Sequence, residues 1–298
     1  MCPPLICLLG LLAVLALRQP SFRTATDVVR LDALVEEHGQ PVGGLTAADF
    51  IVRDNDVVQR VTLLPESGPL SVAVVLDVSG SITSEQVADV ALATDALREG
   101  LGPGDRLSAY AFAAGSREVA LPHGVASAAA LQELASEHRR TAGQRTALFD
   151  ALQMAMLADA SHDESRLLIA LTDGRDNTSW VDARTVMDTA MRRGICLFFV
   201  ALPASVPSGP ADVPQILTDP GLRLLRLLAG RTGGRVIDAD RARPLGPVFE
   251  GIMREYRRRY ILSFEPTGVP RGDGRHRVTV AVKGRRGTVH VRDGYWSR

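Results

Sequence analysis

The stretch Ser71-Val72-Ala73-Val74-Val75-Leu76-Asp77-Val78-Ser79-Gly80-Ser81 decides the fold. From Val72 to Leu76 every residue is apolar, with no alternation between faces, which is the signature of a strand buried on both sides of a parallel sheet. The run stops at Asp77, and the small polar residues that follow predict a turn. Beyond it, Thr83 or Ser84 can cap a helix reaching Arg98, with Glu85 and Gln86 in its first turn and Gly100 near its end. Working outward, strands are expected at 106–112, 167–171, 195–201 and 235–237. Helices are expected at 128–138, 146–158, 182–193, 221–229 and 247–258. Alternation of this kind predicts an α/β, doubly wound, mainly parallel sheet flanked by helices, Rossmann-like in layout.

The flanks read differently. Residues 28–35, 51–53 and 57–61 are short β-like runs bounded by turn residues such as Asp54-Asn55-Asp56. After residue 259 the pattern is β again, at 260–264, 276–282 and 288–292. The two flanks are expected to pair into a small β module carrying the central domain as an insertion. The chain then divides into an N-terminal segment 1–24, a β segment 25–66, an α/β domain 70–258 and a C-terminal β segment 259–298. Ser67-Gly68-Pro69 reads as a joint, and residues 202–220, rich in Pro, Ser and Gly, as a long surface loop.

Composition narrows the function classes. The chain has 298 residues, 46% hydrophobic and 23% charged, with zero formal net charge, as expected of a globular protein with a real core. That balance argues against a protein that coats nucleic acid or an anionic membrane. Lys283 is the only lysine, an Arg bias associated with GC-rich bacterial genes. Residues 5–17 are almost purely apolar, too short for a spanning helix and suited to the core of a secretory signal, so an exported, periplasmic, secreted or envelope-anchored protein is expected. No Lys or Arg precedes Leu5 and the sequence near Ala25 is a poor cleavage site, so an uncleaved N-terminal anchor is the alternative. Cys2 and Cys7 lie in the N-terminal segment 1–24, and Cys196, inside Ile195-Cys196-Leu197-Phe198-Phe199-Val200, reads as a buried small hydrophobe.

In a doubly wound sheet, ligands bind outside the carboxyl ends of the strands, where strand order reverses. Asp77 ends the first buried strand. On the turn after it, Ser79 and Ser81 alternate with Val78 and Gly80, so a curving loop can aim one carboxylate and two hydroxyls at a single point, with Gly80 permitting close backbone approach. Thr146, on the loop entering a helix, and Asp173, at the end of Leu168-Ile169-Ala170-Leu171-Thr172-Asp173, could reach the same crevice. Mg²⁺ demands near-octahedral oxygen ligands and keeps several waters, which this set suits, and Mn²⁺ or Ca²⁺ would accept the same donors.

Asp77-x-Ser79-x-Ser81, then Thr146, then Thr172-Asp173-Gly174 resembles the complete five-residue metal-ion-dependent adhesion site of von Willebrand factor A domains, over roughly residues 70–256. The resemblance implies a central, mainly parallel sheet between helices. It further implies that Ser79, Ser81 and Thr146 ligate or orient directly, that Asp77 and Asp173 act directly or through water, and that an acidic group of a protein partner completes the metal's shell. The function implied is adhesion or scaffolding, without catalysis. Gly44-Leu45-Thr46-Ala47-Ala48-Asp49-Phe50 before the domain, and Gly233-Gly234-Arg235 and Tyr260-Ile261-Leu262-Ser263-Phe264 closing it, resemble segments of bacterial exported proteins with such a domain. Arg145 and Arg175 are a departure. They would weaken cation binding if they point inward and form a partner-binding rim if they point outward.

Other readings are weaker. A metal-assisted hydrolase using Asp77 and Asp173 is the enzymatic alternative, but neither His nor Glu adjoins these loops to serve as general base. A structural protein with a vestigial site is the third. No Gly-x-Ser-x-Gly elbow and no phosphate-binding Gly-x-x-x-x-Gly-Lys motif is present. Arg271-Gly272-Asp273 spells an integrin-binding tripeptide, yet Pro270 to Gly274 is what a hairpin loop requires. The basic run 254–259 reads as the polar face and end of the last helix. The histidines have no zinc-like spacing and read as surface or strand positions.

Overall fold

The computed structural model describes residues 28–65, 68–80, 82–118, 125–142, 145–158, 165–202, 219–239, 244–270, 272 and 274–297. The N-terminal apolar segment, Ser81 and most of the 202–220 loop lie outside these residues, as do Arg271 and Asp273. In chain order the N-terminal strands are β1 (Val29–Glu37), β2 (Gln40–Pro41), β3 (Phe50–Asp54), β4 (Val57–Gln59) and β5 (Thr62–Leu64). The α/β part follows as β6 (Leu70–Asp77), α1 (Ser84–Glu99), β7 (Arg106–Phe112), β8 (Ser116–Glu118), α2 (Val125–Ala142), α3 (Leu148–Ala158) and β9 (Ser165–Thr172). It continues with α4 (Ala183–Arg193), β10 (Ile195–Ala201), α5 (Pro220–Arg231), β11 (Val236–Asp238) and α6 (Gly246–Arg257). The closing strands are β12 (Tyr260–Phe264), β13 (Arg275–Val282), β14 (Thr288–His290) and β15 (Gly294–Trp296).

The central sheet has the order β11-β10-β9-β6-β7-β8, parallel throughout except for β8 at one edge. Side chains of its strands leave alternately to two faces. Val72, Val74 and Leu76 of β6, with Leu167, Ile169 and Leu171 of β9 and Phe198 and Val200 of β10, pack with α1, α2 and α6. Val75, Leu168, Ala170, Leu197 and Phe199 pack on the other face with α3, α4 and α5. Both faces are covered, which is why these strands are continuously apolar. Helix α1 starts where a capping box forms: the Thr83 hydroxyl accepts the Gln86 N–H at 3.2 Å and Gln86 Oε1 accepts the Thr83 N–H at 2.8 Å. The order reverses beside β6, because β7 lies on one side of it and the later β9 on the other. The crevice between β6 and β9 is therefore the topological switch point.

The flanks do pair. A five-stranded sheet has the order β14-β1-β12-β5 with β2 against β1, and a four-stranded sheet has the order β15-β13-β3-β4. Val29, Leu31 and Leu262 of the first share one apolar cluster with Phe50, Val52, Val278 and Tyr295 of the second. Of the run expected at 57–61, only Val57–Gln59 forms a strand. Asn55 and Asp56, both at positive φ (44° and 69°), turn β4 back onto β3, and the chain then crosses to pair β5 with β12.

This module meets the central domain at the amino ends of its strands. The basic run does not end on the helix as expected: Arg259 lies beyond α6 and is buried. Its guanidinium donates to the Gly233 carbonyl at 2.7 Å and to the Asp32 carbonyl at 3.2 Å, knitting β1 to the approach of β11. The Tyr256 hydroxyl donates to Asp32 Oδ2 at 3.0 Å, and Arg292 donates to the Met191 carbonyl at 3.4 Å and, within the module, to the Arg30 carbonyl at 2.6 Å. His276 is likewise interior to the module, within hydrogen-bonding distance of Asp54 and Tyr295.

Candidate metal centre

Three loops meet at the carboxyl edge of the central sheet. The first leaves β6 at Asp77, whose Oδ1 accepts the Ser79 N–H at 2.9 Å and whose Oδ2 accepts the Thr172 hydroxyl at 3.0 Å. The second is the 145–147 segment entering α3, and the third follows β9 through Asp173. The end of β7 ties the first two together. Phe112 O accepts the Val78 N–H at 2.9 Å, and Ala113 O accepts the Ala147 N–H at 2.6 Å. The second and third are joined reciprocally. Asn177 Oδ1 accepts the Thr146 N–H at 2.9 Å while Thr146 O accepts the N–H groups of Asn177 and Thr178 at 3.0 and 3.2 Å.

Asp77, Ser79, Thr146 and Asp173 are all buried, each at most 3% exposed, at one edge of one sheet. The structure thus brings together four of the five residues expected from the sequence, and the fifth, Ser81, lies outside the described residues. Arg145 and Arg175 are exposed at the rim.

Burial pushes the Asp77 carboxyl up to about 7 from an ordinary 3.8; the Ser79 hydroxyl bonded to it pulls the other way, and the charge of Asp173 adds to the rise. Asp173 Oδ1 accepts the Arg175 N–H at 3.1 Å, whereas its buried Oδ2 has no hydrogen-bond partner among the described residues. A buried carboxylate oxygen without a partner is costly and calls for an explanation. Two repelling carboxylates with buried hydroxyls beside them are a hard-oxygen donor set. No cluster of three or more His, Cys, Asp or Glu side chains that could hold a metal forms among the described residues. The residues fit a hard divalent cation.

Several supporting roles were not visible in the spacing. Thr172 orients Asp77, and Asn177 holds Thr146. Asp176 Oδ2 accepts the Phe149 N–H at 2.9 Å, and Asp150 accepts the N–H groups of Trp180 and Val181 at 3.0 Å each. The one cue was the Asp-Gly-x-Asp-Asn run at 173–177, whose short polar side chains bond neighbouring backbone in turns. The same clamped loop displays Trp180 with 96% of its surface exposed.

The sequence pattern of the von Willebrand factor type A domain matches residues 71–223, just over half of the chain. The chain belongs to that family. The A domain's switch-point crevice is thus the edge on which the four buried residues converge. Solved structures similar to this chain include a von Willebrand factor type A protein from Catenulispora acidiphila, with 15% identity, 92% of this chain and 74% of that one covered, and a TM-score of 0.48. An aerotolerance-related membrane protein from Bacteroides fragilis has 16% identity, covers 63% of this chain and 98% of that one, and gives a TM-score of 0.45. A manganese-loaded TRAP protein of Plasmodium vivax has 15% identity, covers 82% and 97%, and gives a TM-score of 0.42. No curated protein matches significantly.

Proposed function

We propose that this A domain is a divalent-cation-dependent protein-binding module, used for adhesion or scaffolding, in which a partner's acidic side chain completes the shell of a bound cation. The observation that carries the reading is the pair of buried carboxylates at the switch point, one of them with an oxygen that has no hydrogen-bond partner among the described residues. Asp77, Ser79, Ser81, Thr146 and Asp173 would hold the ion, Mg²⁺ first and Mn²⁺ or Ca²⁺ as alternatives. The bound cation supplies a hard positive centre for a carboxylate. The chain's own residues do the rest: Thr172 and Asn177 fix the donors, and Arg145 and Arg175 set a positive rim that favours an acidic partner. We take the protein to bind without catalysis, because neither His nor Glu adjoins the three loops. We place it outside the cytoplasm, exported or envelope-anchored, on the apolar segment 5–17.

Partner capture from a periplasmic or secreted extract, compared for wild type and Asp77→Ala with Mg²⁺ and with chelator, tests this. Capture by wild type in Mg²⁺ alone is expected. Equal capture in all four conditions would overturn the reading, and metal-dependent turnover of phosphate esters would favour a hydrolase instead.

A further inference from the structure

Asp173 and Arg175 are arranged for a competition. Gly174, at φ +84°, turns the chain so that the Arg175 side chain comes back over the Asp173 carboxylate. Arg175 Nε stands 3.7 Å from Asp173 Oδ2, beyond hydrogen-bonding distance and within ion-pairing distance. The Asp173 side chain is 1% exposed and the Arg175 side chain 45% exposed, so a buried anion is faced by a cation that reaches it from solvent on a flexible stem. Oδ2 is the same atom that lacks a hydrogen bond among the described residues. The ordinary role of an arginine beside a carboxylate, a forked pair of hydrogen bonds, is not what this geometry provides. What it provides is charge, held near an oxygen that no described residue hydrogen-bonds.

We propose that Arg175 is a tethered counter-cation, standing in electrostatically for the metal at Asp173 and displaced toward solvent when a divalent ion binds. The inference rests on the metal-binding reading above. It makes Arg175 a residue that sets the affinity for the ion without ligating it. A partly exposed pair is screened, so the competition is worth a modest factor in affinity. Removing the charge should tighten cation binding about three- to tenfold.

The test is calorimetric titration of MgCl₂ into the full chain stripped of metal, for wild type, Arg175→Gln, Arg175→Lys and Arg145→Gln. Arg145→Gln removes an equal charge from the same rim and serves as the control for the general field. The expected result is a three- to tenfold lower Kd for Arg175→Gln, with Arg145→Gln within about twofold of wild type and Arg175→Lys intermediate. An unchanged Kd in Arg175→Gln, or an equal gain in Arg145→Gln, overturns the proposal while wild-type binding leaves the metal site standing. Absence of saturable Mg²⁺ binding in every protein removes the metal reading and this proposal with it.

Discussion

At Asp77 a charge, a fold and a ligand site compete. Its carboxyl sits at about 7 in the folded chain against 3.8 ordinarily, so between those values the metal-free fold holds a proton that the unfolded chain has released. Stabilisation from that proton is complete below pH 3.8 and is lost as pH rises through 7, by up to about 1.4 kcal/mol per pH unit within the window. Melting in chelator should therefore fall from pH 6 to pH 8, and saturating Mg²⁺ should flatten the fall, because the cation takes over from the proton. Asp77→Asn keeps the shape and removes the charge. In chelator at pH 8 it should melt higher, by about 1–3 kcal/mol of stability, and should show no Mg²⁺ stabilisation. A variant less stable than wild type under those conditions would show that the carboxylate is not strained. That Asp77, Ser79, Thr146 and Asp173 lie at one sheet edge was legible because Asp77 ends one buried parallel strand, Asp173 follows another and Thr146 enters a helix. The role of Thr172, a residue of the motif, and the whole of Asn177's stayed hidden because they act across loops, and spacing along the chain carries no record of the bond from the Thr146 N–H to Asn177.

Elements buried on both faces were the legible ones. The strand expected at 195–201 coincides with β10, since an uninterrupted apolar run has few other places to go in a doubly wound sheet; the one expected at 106–112 coincides with β7, whose buried half is Ala109 to Phe112. Edge elements were harder. β15, Gly294–Trp296, is too short to display an alternation, yet it buries Tyr295, whose hydroxyl donates to Asp54 Oδ2 at 2.6 Å. Helix α5 shows how an element outside the motif shapes the site. A Cβ added to Gly221, in its first turn, would collide with the Gly174 carbonyl oxygen, so α5 rests directly on the turn that carries Asp173. Gly221→Ala should push that turn, weakening Mg²⁺ binding at least tenfold and lowering stability by about 2–4 kcal/mol. A Cβ added to Gly230, in the last turn of α5, would meet nothing within 4 Å. Gly230→Ala should leave Mg²⁺ affinity unchanged and add about 0.4–1 kcal/mol. Titration and denaturant melts of the two variants check both.

Across the whole molecule the two edges of the central sheet have separate tasks. The carboxyl edge gathers the candidate ligands, and the amino edge docks the β module through Arg259, Asp32, Tyr256 and Arg292. Arg259 is charged and buried, so losing it leaves the Gly233 and Asp32 carbonyls without its hydrogen bonds. Arg259→Ala should lower stability by about 3–5 kcal/mol in denaturant melts while keeping the Mg²⁺ Kd within about twofold of wild type. A large change in Kd would mean that the module communicates with the metal edge. The pairing of the flanks was legible from two β-like regions bracketing an α/β pattern, whereas the buried arginine was not, because a run of basic residues at a helix end looks the same whether it faces water or an interface.

The measurement that bears most directly on the central claim is calorimetric titration of Mg²⁺ into the metal-stripped chain at pH 8, beside Asp77→Ala and Asp173→Ala. Saturable binding of one ion by wild type, lost in both variants, is the predicted result. No binding by wild type, or undiminished binding by Asp77→Ala, would contradict the claim that these buried carboxylates are built to hold a divalent cation.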